Sequence, residues 1–165
     1  MKKKTIWIIC AVLLIAAVIA AGLIVRSRQT AQETAGAITF KAGGQTRQIA
    51  LKDLDREAFS GETVNGKGEH FSHDYRGVSL KTLLADQKID LAAVSSVSAV
   101  AADQFSASYT VEEINEEGKI YLAVQMDGKP IEGIEKGTAG IQMVVFGDPN
   151  SKRSVRNVSV IEVTP

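Results

Sequence analysis

Apolar positions in this 165-residue chain follow two distinct patterns. Residues 5–25 carry no charge; Lys2, Lys3 and Lys4 precede them, and Arg26 and Arg28 close the run. Beyond it, apolar residues come in short stretches separated by glycine, proline, asparagine and aspartate, the punctuation of turns. Ile38, Phe40 and Ile49 flank Gly43-Gly44, which predicts a tight hairpin. Leu51, Leu54 and Phe59 stand near helical spacing, so residues 51–59 read as a short helix or turn. Residues 60–69 hold three glycines and few apolar side chains, and read as a loop or exposed hairpin. Residues 70–75 read as a strand leading into Arg76-Gly77.

Ser79 is a fitting N-cap for a helix that carries Leu80, Leu83 and Leu84. Gly77, just before it, reads as a residue kept for an unusual backbone angle. Residues 94–102, small and β-branched, predict a buried strand, and residues 105–109 alternate as another. Thr110-Val111-Glu112-Glu113 has the form of a capping box ahead of a brief helix. Residues 120–126 predict a strand closed by the turn Asp127-Gly128-Lys129-Pro130. Residues 141–146 and 155–163 predict two more, separated by Gly147-Asp148-Pro149-Asn150. Strands dominate and the helices are few and irregularly placed. That pattern predicts an α+β domain with a mixed sheet over residues 37–165, not a doubly wound one.

The N-terminal run predicts a membrane helix. As a helix, residues 5–25 span roughly 31 Å, enough for a bilayer core of about 30 Å. The lysines of residues 1–4 outweigh Arg26 and Arg28, which predicts a cytoplasmic N-terminus and an extracytoplasmic C-terminal domain at the cell membrane. A cleaved signal peptide is the alternative, cut at Val18-Ile19-Ala20 or Ala20-Ala21-Gly22, but apolar signal cores are usually about 7–15 residues. Residues 5–25 are therefore taken as a signal anchor, and the small, polar residues 26–36 as a tether.

The formal net charge of zero conceals an asymmetry. No acidic residue occurs up to Arg28, so from Gln29 onward nineteen acidic side chains stand against fourteen basic ones, a net charge of −5. An acidic domain argues against nucleic acid as a partner. Cys10, within the apolar run, is the sole cysteine, so an intrachain disulfide is excluded and the domain relies on its core. There is no Gly-x-Ser-x-Gly elbow, no Walker loop and no Rossmann glycine pattern.

An ordered series of blocks resembles the molybdopterin-binding domain of the sulfite oxidase family. Tyr75-Arg76-Gly77-Val78-Ser79-Leu80-Lys81-Thr82-Leu83-Leu84 is similar to its aromatic-x-Gly-Val-x-Leu-x-x-Leu-Leu element. Ala102-Asp103-Gln104-Phe105-Ser106 resembles its segment around Asp-Gly-Tyr. Tyr121-Leu122-Ala123-Val124-Gln125-Met126-Asp127-Gly128-Lys129-Pro130-Ile131 is similar to its leucine-alanine strand and Asn/Asp-Gly-x-Pro-Leu turn. Gly140-Ile141-Gln142-Met143-Val144-Val145-Phe146-Gly147 resembles its strand ending in Pro-Gly, and Ser154-Val155-Arg156-Asn157-Val158 its closing Ser-Val-Lys-Trp-Val element. The resemblance implies that family's α+β fold and makes molybdopterin the cofactor to consider. The family ligates molybdenum through a cysteine in the stretch before Tyr75, which here reads Gly61-Glu62-Thr63-Val64-Asn65-Gly66-Lys67-Gly68-Glu69-His70. No thiol is present there, so molybdenum ligation by cysteine is expected to be absent from the folded domain. Gln142 stands where the family often carries arginine, and Phe146 where it carries proline.

Two constellations remain as candidate sites. Lys152, Arg153 and Arg156 form the densest basic cluster of the domain and could hold a phosphate or other anion. The resemblance sets Arg156 at the family's lysine near the pterin. His70 and His73 are the only imidazoles; on a strand, positions three apart point to opposite faces, which prevents joint chelation. Glu112, Glu113, Glu116 and Glu117 lack the spacing of a calcium loop, and Met126 and Met143 read as core. Three functions follow from this pattern. The first is an accessory, non-catalytic module that holds a ligand or docks on a redox protein. The second is an oxidoreductase component that binds a pterin or other cofactor without cysteine. The third is a structural exported domain.

Overall fold

The computed structural model describes residues 36–149 and 151–165, with the backbone alone at Ser151. The expected membrane helix at 5–25 and nearly all of the tether lie outside the described residues. No helix among the described residues is long and apolar enough to cross a membrane.

Two five-stranded sheets share one core. The first has the order β2-β1-β10-β5-β6, from β1 (Ala37–Ala42), β2 (Gln45–Ala50), β5 (Ser96–Ala101), β6 (Ser106–Thr110) and β10 (Val158–Thr164). Its β1–β10 pair is parallel and the other pairs antiparallel, so the sheet is mixed as expected. The second runs β3-β4-β7-β8, from β3 (Glu57–Val64), β4 (His70–Ser79), β7 (Ile120–Met126) and the short β8 (Lys129–Pro130); β9 (Gln142–Val145) also pairs with β7. Two brief helices complete the domain: α1 (Leu80–Asp86) and α2 (Val111–Asn115). Ser79 caps α1 by accepting from the Thr82 N–H, and Thr110 and Glu113 form the reciprocal capping box of α2.

Period-two burial assigns each strand its inner face. Ile38 and Phe40, Val97 and Ala99, and Tyr109 and Ile161 point from the first sheet into the core. They meet Val78, Leu122, Met143 and Val145 of the second sheet, with Leu80, Leu83 and Leu84 of α1 closing one side. The second sheet is apolar on its other face too. There Tyr75, Ala123 and Val144 pack with Phe59, Met126, Ile131 and Phe146 in a separate small cluster.

Several expectations are corrected. The helical spacing at 51–59 yields only one 3-10 turn, Leu51–Asp53; Phe59 belongs to β3, because pairing with β4 sets it beside Tyr75 in the aromatic cluster. Of the two readings of 60–69 the hairpin holds, with its turn at Asn65, where Oδ1 accepts from the Lys67 and Glu69 N–H groups. The last strand begins at Val158 and not at 155, since Asn157 takes a left-handed conformation that breaks the strand (φ +53°). Gly77 has no positive φ. Glycine is needed there because a Cβ would overlap the Leu122 carbonyl oxygen of the neighbouring strand.

Gly77→Ala should therefore destabilise the domain by on the order of 3 kcal/mol, from a forced shift of backbone against backbone. Urea denaturation of the two proteins checks this; an unchanged midpoint would refute the close-contact account.

Candidate functional site

The turn between β7 and β8 fixes one wall of the site. Asp127 and Gly128 are both left-handed, at φ +51° and +73°, the geometry of a two-residue hairpin turn. The Asp127 N–H donates to the Asp74 carbonyl (2.7 Å), and Asp127 Oδ1 accepts from the Asp74 N–H (3.1 Å). Asp127 Oδ2 lies 2.8 Å from His73 Nδ1. The backbone bond from Asp74, and after it the His73 contact, hold the Asp127 carboxyl below the usual carboxylate range. His73 stands in a row with Phe71 and Tyr75 along β4, with ring centroids 6.3 and 5.9 Å apart.

Residues 155–157 form the facing wall. The Val155 carbonyl accepts from the Met143 N–H (2.8 Å), Arg156 makes an isolated bridge with Gln142, and the Asn157 carbonyl accepts from the Ala102 N–H (3.1 Å). Between the walls lies an open groove of about 1010 Å³, lined among others by Met126, Asp127, Glu132, Gln142, Arg156 and Asn157. Arg156 is exposed in it. Asn157 Oδ1 is buried with no hydrogen-bond partner among the described residues, so it is an acceptor left unsatisfied.

Below the groove sits the aromatic cluster that Met126 and Ile131 join. Phe59 is sandwiched between Tyr121 (centroids 4.0 Å, 14°) and Tyr75 (5.4 Å, 15°), with Phe146 edge-on at 6.1 Å. Burial pushes both tyrosine hydroxyls up. Asp127 raises and Arg156 lowers the Tyr75 value further, so all three groups act within one neighbourhood.

The candidate residues read from the sequence do not converge on one point. Arg156 lines the groove alone. Arg153 is held by carboxylates: Nη1 reaches Glu113 at 2.7 and 2.9 Å, while Nε and Nη2 reach Asp148 at 3.0 and 2.5 Å. The Asp148 bonds, against the cost of burial, raise the guanidinium's affinity for its proton. Burial alone would raise the Glu113 carboxyl; the Thr110 N–H and Arg153 outweigh it and bring it below the usual range. Tyr109 joins this knot by donating its hydroxyl to the Arg153 carbonyl (2.6 Å). Lys152 is exposed on the adjoining 3-10 turn, Ser151–Arg153. His70 Nδ1 meets Glu62 Oε1 at 2.6 Å, apart from the His73–Asp127 pair, so each imidazole has its own carboxylate.

Residues 29–165 match the sequence profile of the oxidoreductase molybdopterin binding domain. The chain belongs to that family. Among solved structures it is similar to the sulfane dehydrogenase SoxCD of Paracoccus pantotrophus, with a TM-score of 0.63 and 15% identity. The match covers 78% of this chain and 38% of that one, so the present chain spans well under half of the enzyme it resembles. No curated protein sequence matches it.

Does a molybdopterin fit? Molybdenum favours a sulfur-rich set of ligands. The single cysteine, Cys10, lies outside the described residues, and among these no three His, Cys, Asp or Glu side chains converge to hold a metal. The described residues thus offer no thiolate to a bound metal. The groove suits an organic anion better, with Arg156 as its cation and Asn157 Oδ1 as an acceptor for an N–H donor. Sequence reasoning found Arg156 but missed Asp127, which it read only as a turn former. It also missed Asn157, whose left-handed backbone leaves no mark in composition or periodicity.

Two outcomes are expected. Arg153→Ala strips the half-buried Glu113 and Asp148 carboxylates of their shared guanidinium and should cost about 2 kcal/mol in urea denaturation. Asp127 has a depressed folded-state pKa, so it stabilises the fold above the pKa of the unfolded carboxyl, and that contribution fades as pH falls through the folded value. Asp127→Asn should remove this part of the acid limb in melting curves; an unaltered pH dependence would sink the assignment.

Proposed function

We propose that this chain is a membrane-anchored, extracytoplasmic accessory module of the oxidoreductase molybdopterin binding domain family. It binds an organic anion in the Arg156 groove and performs no molybdenum chemistry of its own. The observation that carries this reading is the pairing of a cationic groove with a domain that lacks a thiolate. Arg156 supplies the charge and Asn157 the acceptor; Asp127, locked by Asp74 and His73, rejects a second negative group on the opposite wall. A pterin phosphate has this chemistry, since it carries both ring N–H donors and an anion. The anchor rests on the charge-free residues 5–25 and the lysines before them. A module held at the membrane in this way is suited to docking on a redox protein.

The test is metal analysis and an absorption spectrum on the full chain extracted from membranes of its native host. A metal-free protein that carries or takes up a pterin phosphate supports the proposal, provided that Arg156→Ala loses at least about tenfold in affinity, as expected for a lost charge-assisted contact. Stoichiometric molybdenum, or a flavin or haem absorbance, would replace the proposal with a true redox component.

A further inference from the structure

Among the described residues β3 is the longest edge strand. It is the terminal strand of the second sheet and has eight residues, against six in β2 and five in β6, the edges of the first. Its register with β4 runs without a bulge from Glu57 opposite Gly77 to Val64 opposite His70. Edge strands are usually blunted by lysine, proline, a bulge or brevity. β3 carries no lysine, proline or bulge and is not short; Glu57 and Glu62 are its only charges.

The hydrogen-bond phase of that edge can be worked out. The Asn65 N–H donates to the Glu69 carbonyl, and antiparallel pairs alternate between bonded and non-bonded residues. Odd-numbered residues of β3 therefore bond to β4, and Ala58, Ser60, Glu62 and Val64 turn their N–H and C=O groups outward. Among the described residues no backbone hydrogen bond reaches those groups. A groove of about 530 Å³ lies beside them, lined by Ser60, Gly61, Glu62 and, across it, Phe146 and Asp148.

We propose that this edge pairs with β3 of a second copy of the chain, antiparallel about a twofold axis at Gly61. Only even residues face outward, so an isologous pairing must be centred on a single residue. Centring it on Glu62 would set like charges opposite each other, which is destabilising. Centring it on Gly61 sets Ser60 against Glu62, Ala58 against Val64 and Phe59 against Thr63 of the other copy. The last is an aromatic–β-branched pair, a favourable combination. Phe71 lies beside Thr63 within one copy and is 43% exposed, so its ring would continue the row toward the aromatic cluster of the other copy. Gly61 at the axis presents no side chain to its counterpart, and the Phe146 ring already covers it, since a Cβ there would come within 2.6 Å of that ring. His70 Nδ1 lies 2.6 Å from Glu62 Oε1 and so fixes that carboxylate beside the seam.

Cysteine crosslinking on full chains in membranes tests the register. In a Cys10→Ala background, Ser60→Cys and Glu62→Cys chains are co-expressed and oxidised with copper phenanthroline. The mixture should give a disulfide-linked dimer on a non-reducing gel, with little from either variant alone. A Ser60→Cys dimer without its partner, or no dimer in any combination, would overturn the Gly61-centred pairing. The second test is Ser60→Pro, which removes an outward N–H and leaves the β4 ladder intact. It should convert the detergent-solubilised chain from dimer to monomer in sedimentation, with its circular dichroism unchanged. A dimer that survives this substitution would place the contact elsewhere, and a wild-type chain that is monomeric throughout would reject it.

Discussion

The contact on which the architecture depends is the close approach of β4 to β7 at Gly77. Only a residue without a side chain allows the two backbones to meet there, and the register shifts next to it, between Arg76 and Gly77. That shift sets Met126 opposite Tyr75, so the methionine joins the second cluster, and alternation along the strands buries both faces of the sheet. Val78 and Leu122 go to the main core, while Tyr75 and Ala123 go to the aromatic cluster. Without it Gln125 instead of Met126 would stand opposite Tyr75 on the aromatic face.

Much of the fold was legible because its signals are local. The glycine hairpin of β1 and β2, the Ser79 cap, the Thr110–Glu113 capping box and the Asp127-Gly128 turn each rest on two or three adjacent residues. The misreadings arose where the partner is distant. Phe59 shows helical spacing to Leu51 and Leu54, yet it is a strand residue because Tyr75 and Tyr121 offer it stacking partners. Gly77 was assigned to a conformational need, whereas the neighbouring strand dictates it.

The site was legible only in part, for the same reason. The basic cluster at 152–156 is continuous in sequence but divides in space. Arg153 is claimed by Glu113 and Asp148, carboxylates from two different segments, and serves as a tie between α2 and the loop after β9. Arg156, three residues on, belongs to another wall. Charge density along a sequence does not separate a cation that holds the fold from one that lines a groove, but the identity of its neighbours does.

Both walls of that groove turn on residues in left-handed backbone, Asp127 and Asn157, and each is bonded to a flanking strand segment. Their shape is therefore completed when the sheets form. A guest held between them, as proposed, would find these two walls already shaped by folding, which lowers the conformational entropy lost on binding. Under the proposed function, the groove would act as a preformed mould whose selectivity comes from the spacing of one cation, one carboxylate and one unsatisfied carbonyl oxygen.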